Sequence, residues 1–111
     1  MDPLSQERLA KNEAFFREVN ERIREVVERY GPDDHVYEFI CECANSDCAE
    51  RIELNAAQYQ AIRADGTRFV LAPGHELGRI EKVVEKHAEH VVVEKVGVAG
   101  EVAAALDPRV A

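Results

Sequence analysis

From Ser5 to Tyr30 the chain contains neither glycine nor proline, and its apolar residues return at steps of three and four. Leu9, Asn12, Phe16, Val19, Ile23, Val26 and Tyr30 form a heptad-type stripe over three repeats. Ser5 is suited to cap the first turn, and Gly31-Pro32 to close the last. The spacing predicts one amphipathic helix over residues 5–30, ~39 Å long at about 1.5 Å per residue. The remaining ~80 residues would form a globule only ~30 Å across, so part of the helix is expected to overhang. Glu7/Lys11, Glu13/Arg17, Arg17/Glu21, Glu18/Arg22 and Arg24/Glu28 stand four apart and are expected to mark a solvated outer face. Phe15 and Val27 widen the stripe beyond a strict coiled-coil seam. Two arrangements are open: the helix lies on its own domain, or it pairs in a homodimer or with a partner protein. Asn12, at a d-type position, either sets register between two helices or faces water.

Beyond Gly31-Pro32-Asp33-Asp34 the pattern changes period. Residues 35–43 alternate as a strand, with His35, Tyr37, Phe39, Cys41 and Cys43 on one face and Val36, Glu38, Ile40 and Glu42 on the other. Ala44-Asn45-Ser46-Asp47 is a loop with Cys48 at its exit, and Arg51-Ile52-Glu53-Leu54 a short second strand. Asn55 followed by Gln58 suits a capped short helix through Arg63. Asp65-Gly66 is a turn, and Phe69-Val70-Leu71-Ala72 a third strand ending in Pro73-Gly74. Residues 79–97 fit a helical face or a hairpin; Val83-Val84-Glu85-Lys86, repeated as Val92-Val93-Glu94-Lys95, favours the hairpin. Glu101 to Leu106 is expected to form a turn or two of Ala-rich helix before Asp107-Pro108. The organisation is an N-terminal helix (1–31), a β-rich unit (32–98) and a C-terminal tail (99–111), within one compact domain.

Charge narrows the partners. There are 14 basic against 22 acidic side chains, a formal net charge of −8, and residues 31–111 hold fifteen acids to eight bases. Nucleic-acid binding depends on cations that neutralise phosphates, so neither nucleic acid nor an anionic membrane is expected. The first residues lack the basic and apolar regions of a signal peptide, and no apolar run approaches the ~20 residues of a bilayer span. A cytoplasmic setting is the expectation, where three cysteines stay reduced and read as ligands or reactive thiols.

Cys41-x-Cys43-x4-Cys48, followed by His75, carries the chemistry. Alternate strand positions project to one face, a short polar loop returns Cys48 beside them, and Pro73-Gly74 can aim His75. Three thiolates and an imidazole satisfy the tetrahedral preference of zinc, and a shell filled by protein ligands is structural rather than catalytic. The bland alternative is three small buried cysteines in a core. His35 shares the cysteines' strand face but lies ~20 Å from Cys41 along an extended strand. His87 and His90 are expected in water on a turn. Glu76 reads as a surface carboxylate or an acceptor for a metal ligand, and as a general base only if the shell were open. Tyr59, Arg63 and Arg68 either line a small anion site or sit on a solvated face, the latter being expected.

Phe39-Ile40-Cys41-Glu42-Cys43, Cys48, Arg51-Ile52-Glu53-Leu54, Tyr59, Arg68-Phe69, Pro73-Gly74-His75-Glu76 and Val92-Val93-Glu94-Lys95 together resemble a family of small uncharacterised bacterial proteins, actinobacterial in type. The resemblance covers residues 8–110 and departs at Leu77-Gly78. It implies a standalone intracellular protein and carries no fold, function or site residue. The expected whole is an α+β protein: a long N-terminal amphipathic helix, a small zinc-stapled antiparallel β-sheet and one short helix. One structural zinc per chain, held by Cys41, Cys43, Cys48 and His75, would stabilise a non-catalytic interaction or regulatory module. The alternative is a thiol/zinc redox sensor or small metal-dependent enzyme using Cys41 or Cys43.

Overall fold

Alternating apolar residues in short runs can bury only one face each, so the strands here must share a core with a covering layer. The computed structural model describes residues 3–30, 35–45 and 47–109, with side chains from Arg8 onward except that of Tyr30. The elements are α1 (Pro3–Tyr30), β1 (Tyr37–Ile40), β2 (Arg51–Leu54), α2 (Ala56–Arg63), β3 (Arg68–Leu71), β4 (Glu81–Lys86), β5 (Val91–Lys95) and α3 (Gly97–Ala105). The class is α+β. The Ser5 cap, the Glu7/Lys11 pair, the Tyr30 side chain and the turn at residues 31–34 lie outside the described residues.

There are two small antiparallel sheets where the alternation suggested one: a β1-β2 hairpin, and a three-stranded sheet in the order β3-β5-β4. Phe39 pairs with Ile52 in the first, and Phe69 with Val93 in the second. The expected strand over 35–43 stops at Ile40 because the chain then changes partner. Cys41 N–H still donates to Glu50 O of the hairpin (3.0 Å), whereas Glu42 N–H donates to Val70 O of β3 (2.9 Å). Residues 41–42 therefore stitch the two sheets together. Phe39, Ile52, Leu54, Tyr59, Phe69, Val70, Leu71, Val92 and Val93 fill one core shared by both sheets.

The shorter elements form for local reasons. Asn55 Oδ1 accepts from Gln58 N–H and Gln58 Oε1 from Asn55 N–H, the reciprocal cap that starts α2. Residues 79–97 contain the hairpin, its turn closed by His87 N–H to His90 O (2.9 Å). The C-terminal helix is longer than the residues from Glu101 alone suggest. It runs over nine residues as α3, with Ala99 and Ala103 fully buried beside α1.

The largest departure concerns α1. Twenty-eight residues make a rod of about 42 Å, and the molecule's longest axis is 44 Å, so the helix runs along its own domain. Its buried positions are Ala10, Glu13, Ala14, Arg17, Asn20, Glu21 and Val27. This is the predicted period turned by one residue, about 100° around the axis. Leu9, Phe16, Val19 and Ile23 occupy a half-buried flank, while Phe15 and Val26 are 63% and 59% exposed. Glu18/Arg22 (3.6 Å) and Arg24/Glu28 (2.6 Å) do pair at the surface. Glu13, Arg17 and Glu21 do not, because each has found a partner beneath the helix.

A buried polar layer explains the rotation. Lys95 reaches both Glu13 and Glu81. Arg17 donates to Gly66 O (2.5 Å) and Ala103 O (2.8 Å), and lies 4.4 Å from the Phe69 ring centre. Arg63 is held by Glu21 (2.7 Å) and Asp107 (2.5 Å), and Arg109 also reaches Glu21 (2.9 Å). Tyr59 and Arg63 are thus core residues, which corrects the expectation of a solvated α2 face.

Candidate metal centre

Four residues from three separate stretches converge at the sheet junction. The ligand atoms of Cys41, Cys43, Cys48 and His75 all lie within 4.8 Å of one another. His75 Nδ1 is 3.6 Å from Cys41 Sγ and 3.6 Å from Cys48 Sγ. For a tetrahedral zinc with Zn–S about 2.3 Å and Zn–N about 2.05 Å, the S···N edge is about 3.6 Å and the S···S edge about 3.8 Å. The imidazole edges therefore already have the spacing of zinc ligands. The widest separation exceeds the ideal by only ~1 Å, within reach of a side-chain rotation.

The backbone explains the convergence. Cys41 and Cys43 are buried at the end of the hairpin and Cys48 is half-buried, all three as free thiols. Cys48 N–H donates to Asn45 O (3.0 Å), which closes the loop that returns it. His75 N–H donates to Ala72 O (3.2 Å) across a turn in which Gly74 has φ +85°, a conformation glycine adopts at no steric cost.

Helix α1 supports the Cys-x-Cys segment from both ends. The Asn20 side chain acts like a neighbouring strand. Its Oδ1 accepts from Ile40 N–H (2.8 Å) and its Nδ2 donates to Ile40 O (2.8 Å). Two turns earlier, Asn12 Nδ2 donates to Ala44 O (3.2 Å), which ties this half-buried residue to its own chain. Between the two cysteines, Glu42 is completely buried. Its carboxylate accepts from Asn20 Nδ2 (2.8 Å), Tyr59 Oη (2.8 Å) and Val70 N–H (3.0 Å). Burial still pushes the Glu42 carboxyl up, against the lowering effect of those donors. Fixing Glu42 on one side of the strand directs both neighbouring sulfurs to the other.

The sulfurs have the environment that metal binding requires. Cys41 Sγ accepts from Ala72 N–H (3.2 Å), a donor that favours the thiolate. Burial outweighs it, and the adjacent Cys43 and Cys48 add to the effect, so the metal-free Cys41 thiol is pushed far above its ordinary range. Burial likewise raises Cys43. A divalent cation removes that cost by coordinating the deprotonated sulfurs. The chemistry of the donor set and its spacing both fit a metal ion.

The other candidates are elsewhere. His35 is exposed and packs edge-on to Tyr37, with ring centres 4.6 Å apart. His87 and His90 stack at 4.4 Å on the β4–β5 turn, with His87 Nε2 3.0 Å from Glu85. Glu76 is half-buried, one of its oxygens enclosed without a hydrogen-bond partner. A cleft of about 390 Å³ adjoins the cluster, lined in part by Cys43, His75, Leu9 and Leu77. Asn20 and Glu42 were missed in the sequence because polar residues in an amphipathic pattern read as solvent-facing. The only available signal was Glu42's position between two residues that must share one direction.

Fold and site define a small α+β protein with a Cys3His group that could hold a metal ion. No protein-family model, curated protein or solved structure matches this chain.

Proposed function

We propose that this protein is a zinc-stapled binding or regulatory module that catalyses no reaction. One zinc per chain is held by Cys41, Cys43, Cys48 and His75. The observation that carries the reading is the 3.6 Å spacing from His75 Nδ1 to two sulfurs, at a junction where the chain joins both sheets. Four protein ligands fill a tetrahedral shell and leave no position for a water nucleophile. Thiolate ligands require a reducing compartment, which supports the cytoplasm as the setting. Among the described residues no helix is long and apolar enough to cross a membrane. Protein purified without chelator should contain about one zinc per chain by mass spectrometry. Absence of any bound metal ends this reading.

The partner in this proposal is a second copy of the chain, docked along the outward strip of α1. Phe15 and Val26 stand three turns apart on that strip with Glu18 and Arg22 between them. Two such strips laid antiparallel place Phe15 against Val26 of the other copy and Glu18 near its Arg22, so the surface complements itself. Sedimentation equilibrium at tens of micromolar should detect dimer, abolished by Phe15→Glu. A strict monomer removes the pairing and leaves the zinc reading standing.

A second reading is favoured by the half-buried Cys48 and the neighbouring cleft: a sensor in which a thiol reacts and releases the metal. Of the thiols first suspected, Cys41 is buried, and Cys43, also buried, borders that cleft. Thiol titration separates the readings. Three thiols that appear only after chelation support the structural role, and one fast thiol with metal bound supports the sensor.

A further inference from the structure

The outer strand of a sheet leaves a row of backbone donors and acceptors, and natural sheets cover or blunt that row. Most outer edges here are treated in this way. Residues 41–42 bridge β3, with Glu42 N–H on Val70 O, Val70 N–H on Glu42 Oε1 and Ala72 N–H on Cys41 Sγ. The Asn20 amide meets β1 at Ile40. The β4 edge carries exposed Lys82 and Lys86 and a bulge between Val83 and Glu85. β2 has none of these devices. Its register against β1 runs unbroken from Arg51 to Leu54, without lysine or proline. Among the described residues, β1 is the one element that packs extensively along it.

The ladder fixes which way the β2 backbone faces. Cys41 N–H donates to Glu50 O, whereas Ile40 turns both its N–H and its C=O outward to Asn20. Hydrogen-bonded and non-hydrogen-bonded pairs alternate along an antiparallel ladder. Arg51, opposite Ile40, and Glu53, opposite Glu38, therefore direct their N–H and C=O groups away from β1. No other described residue bonds to these four groups, and both residues are exposed.

Charge defines what fits there. Glu38 and Glu53, both exposed, stand directly opposite each other, and like charges in that position destabilise a strand pair. Neither they nor Arg51 have an ion-pair partner among the described residues. A strand added outside β2 sets one residue against each of its side chains. A base against Glu53 offsets the repulsion, and an acid against Arg51 completes a second pair. The residue between them shares the face of buried Ile52 and is best apolar. We propose that the outer edge of β2 receives an extended segment of another protein, antiparallel to Arg51–Glu53 and reading basic–apolar–acidic. Backbone hydrogen bonds supply the attraction, and the two cross-strand ion pairs set the register. The surface belongs to neither the α1 strip nor the Cys3His group.

The full chain as purified is titrated with the end-blocked synthetic peptide Thr-Val-Lys-Val-Glu-Val-Thr, and amide exchange with water is followed residue by residue by NMR. The Arg51 and Glu53 amides should exchange freely before addition and become protected at saturation. Those of Ile52 and Leu54, bonded inside the hairpin, should be protected throughout. The same peptide N-methylated at its lysine and glutamate nitrogens keeps the charges, loses the donors and should not bind. Glu53→Lys also removes the opposition to Glu38, so the variant should fold, and it should bind about fivefold more weakly. A peptide with glutamate in place of its lysine should recover that loss. Arg51 and Glu53 amides that stay unprotected, equal binding of the N-methylated peptide, or undiminished binding by folded Glu53→Lys each overturn the proposal. So does protection of these amides in the free chain that disappears on dilution, which would assign the edge to a second copy.

Discussion

The Cys3His junction and the layer beneath α1 both bury polar chemistry, yet they do so by opposite means. At the junction the donors are few, close in sequence except for His75, and aimed at a single point. Under α1 they are many and dispersed: Glu13, Arg17, Glu21, Arg63, Glu81, Lys95 and Asp107 come from five elements and loops, with Lys95 and Arg63 each between two carboxylates and Arg17 on backbone carbonyls. Free energy concentrated at one ion, were the junction to hold it, would be lost all at once, whereas a distributed network degrades one partner at a time. The two regions meet at Asn20 and Glu42, which belong to the buried layer by their bonds and to the junction by their position.

The largest expected effect follows from emptying the junction. Structural zinc contributes on the order of 10 kcal/mol in small domains, comparable with the whole stability of a chain this size. Chelation, or Cys43→Ser, should therefore abolish cooperative thermal unfolding as followed by circular dichroism. A chelated protein that melts within a few degrees of its untreated form would place most of the stability in the buried layer instead.

Next in size is a cut into that layer. Arg63→Ala leaves Asp107 with the Arg109 backbone N–H but no ion-pair partner, and Glu21 with only its outer cations. Removing one member of a buried ion pair costs about 3–5 kcal/mol, chiefly as the charge left behind. Urea unfolding of the metal-loaded variant measures this. Because Glu21 retains Arg24 and Arg109, a loss near the lower end is expected. A loss below about 1 kcal/mol would mean that water or the remaining arginines fully substitute, and that the layer contributes little to stability.

The same contrast explains what could be read from the sequence. Cysteine is rare and its spacing is a statement about geometry, so Cys41, Cys43, Cys48 and His75 could be brought together before any strand was placed. The Asn55/Gln58 cap and the hairpin around residues 87–90 were legible because their signals are local. The buried face of α1 was not. An apolar stripe is normally the inward one, but here Lys95, Arg63 and Glu42 wait under the helix, and Glu13, Glu21 and Asn20 supply partners for them. Those partners lie 22 to 82 residues away along the chain, beyond any local pattern. The period was right and the phase was wrong, since period belongs to the helix and phase to whatever it covers.

The smallest effect is the most diagnostic of the buried layer, because it changes with pH. Burial pushes Glu13 up to about 7 despite the adjacent Lys95, so the fold holds this proton more tightly than the unfolded chain does. Its stabilising contribution is complete below the ordinary carboxylate value of 4.5 and declines as pH rises toward about 7. Glu21 and Asp107, held below their ordinary values, contribute in the opposite sense, and theirs is lost only as the pH falls into the acid range. Comparing the metal-loaded protein with Glu13→Gln cancels those groups, the thiolates and His90. Glutamine keeps the shape without the titration, and Lys95 retains Glu81. The variant should gain on the parent by up to about 1 kcal/mol per pH unit between pH 5 and 7, and by little above that. A stability difference that stays flat across this window would show that Lys95 holds Glu13 fully ionised, and that this end of the layer is an ordinary ion pair.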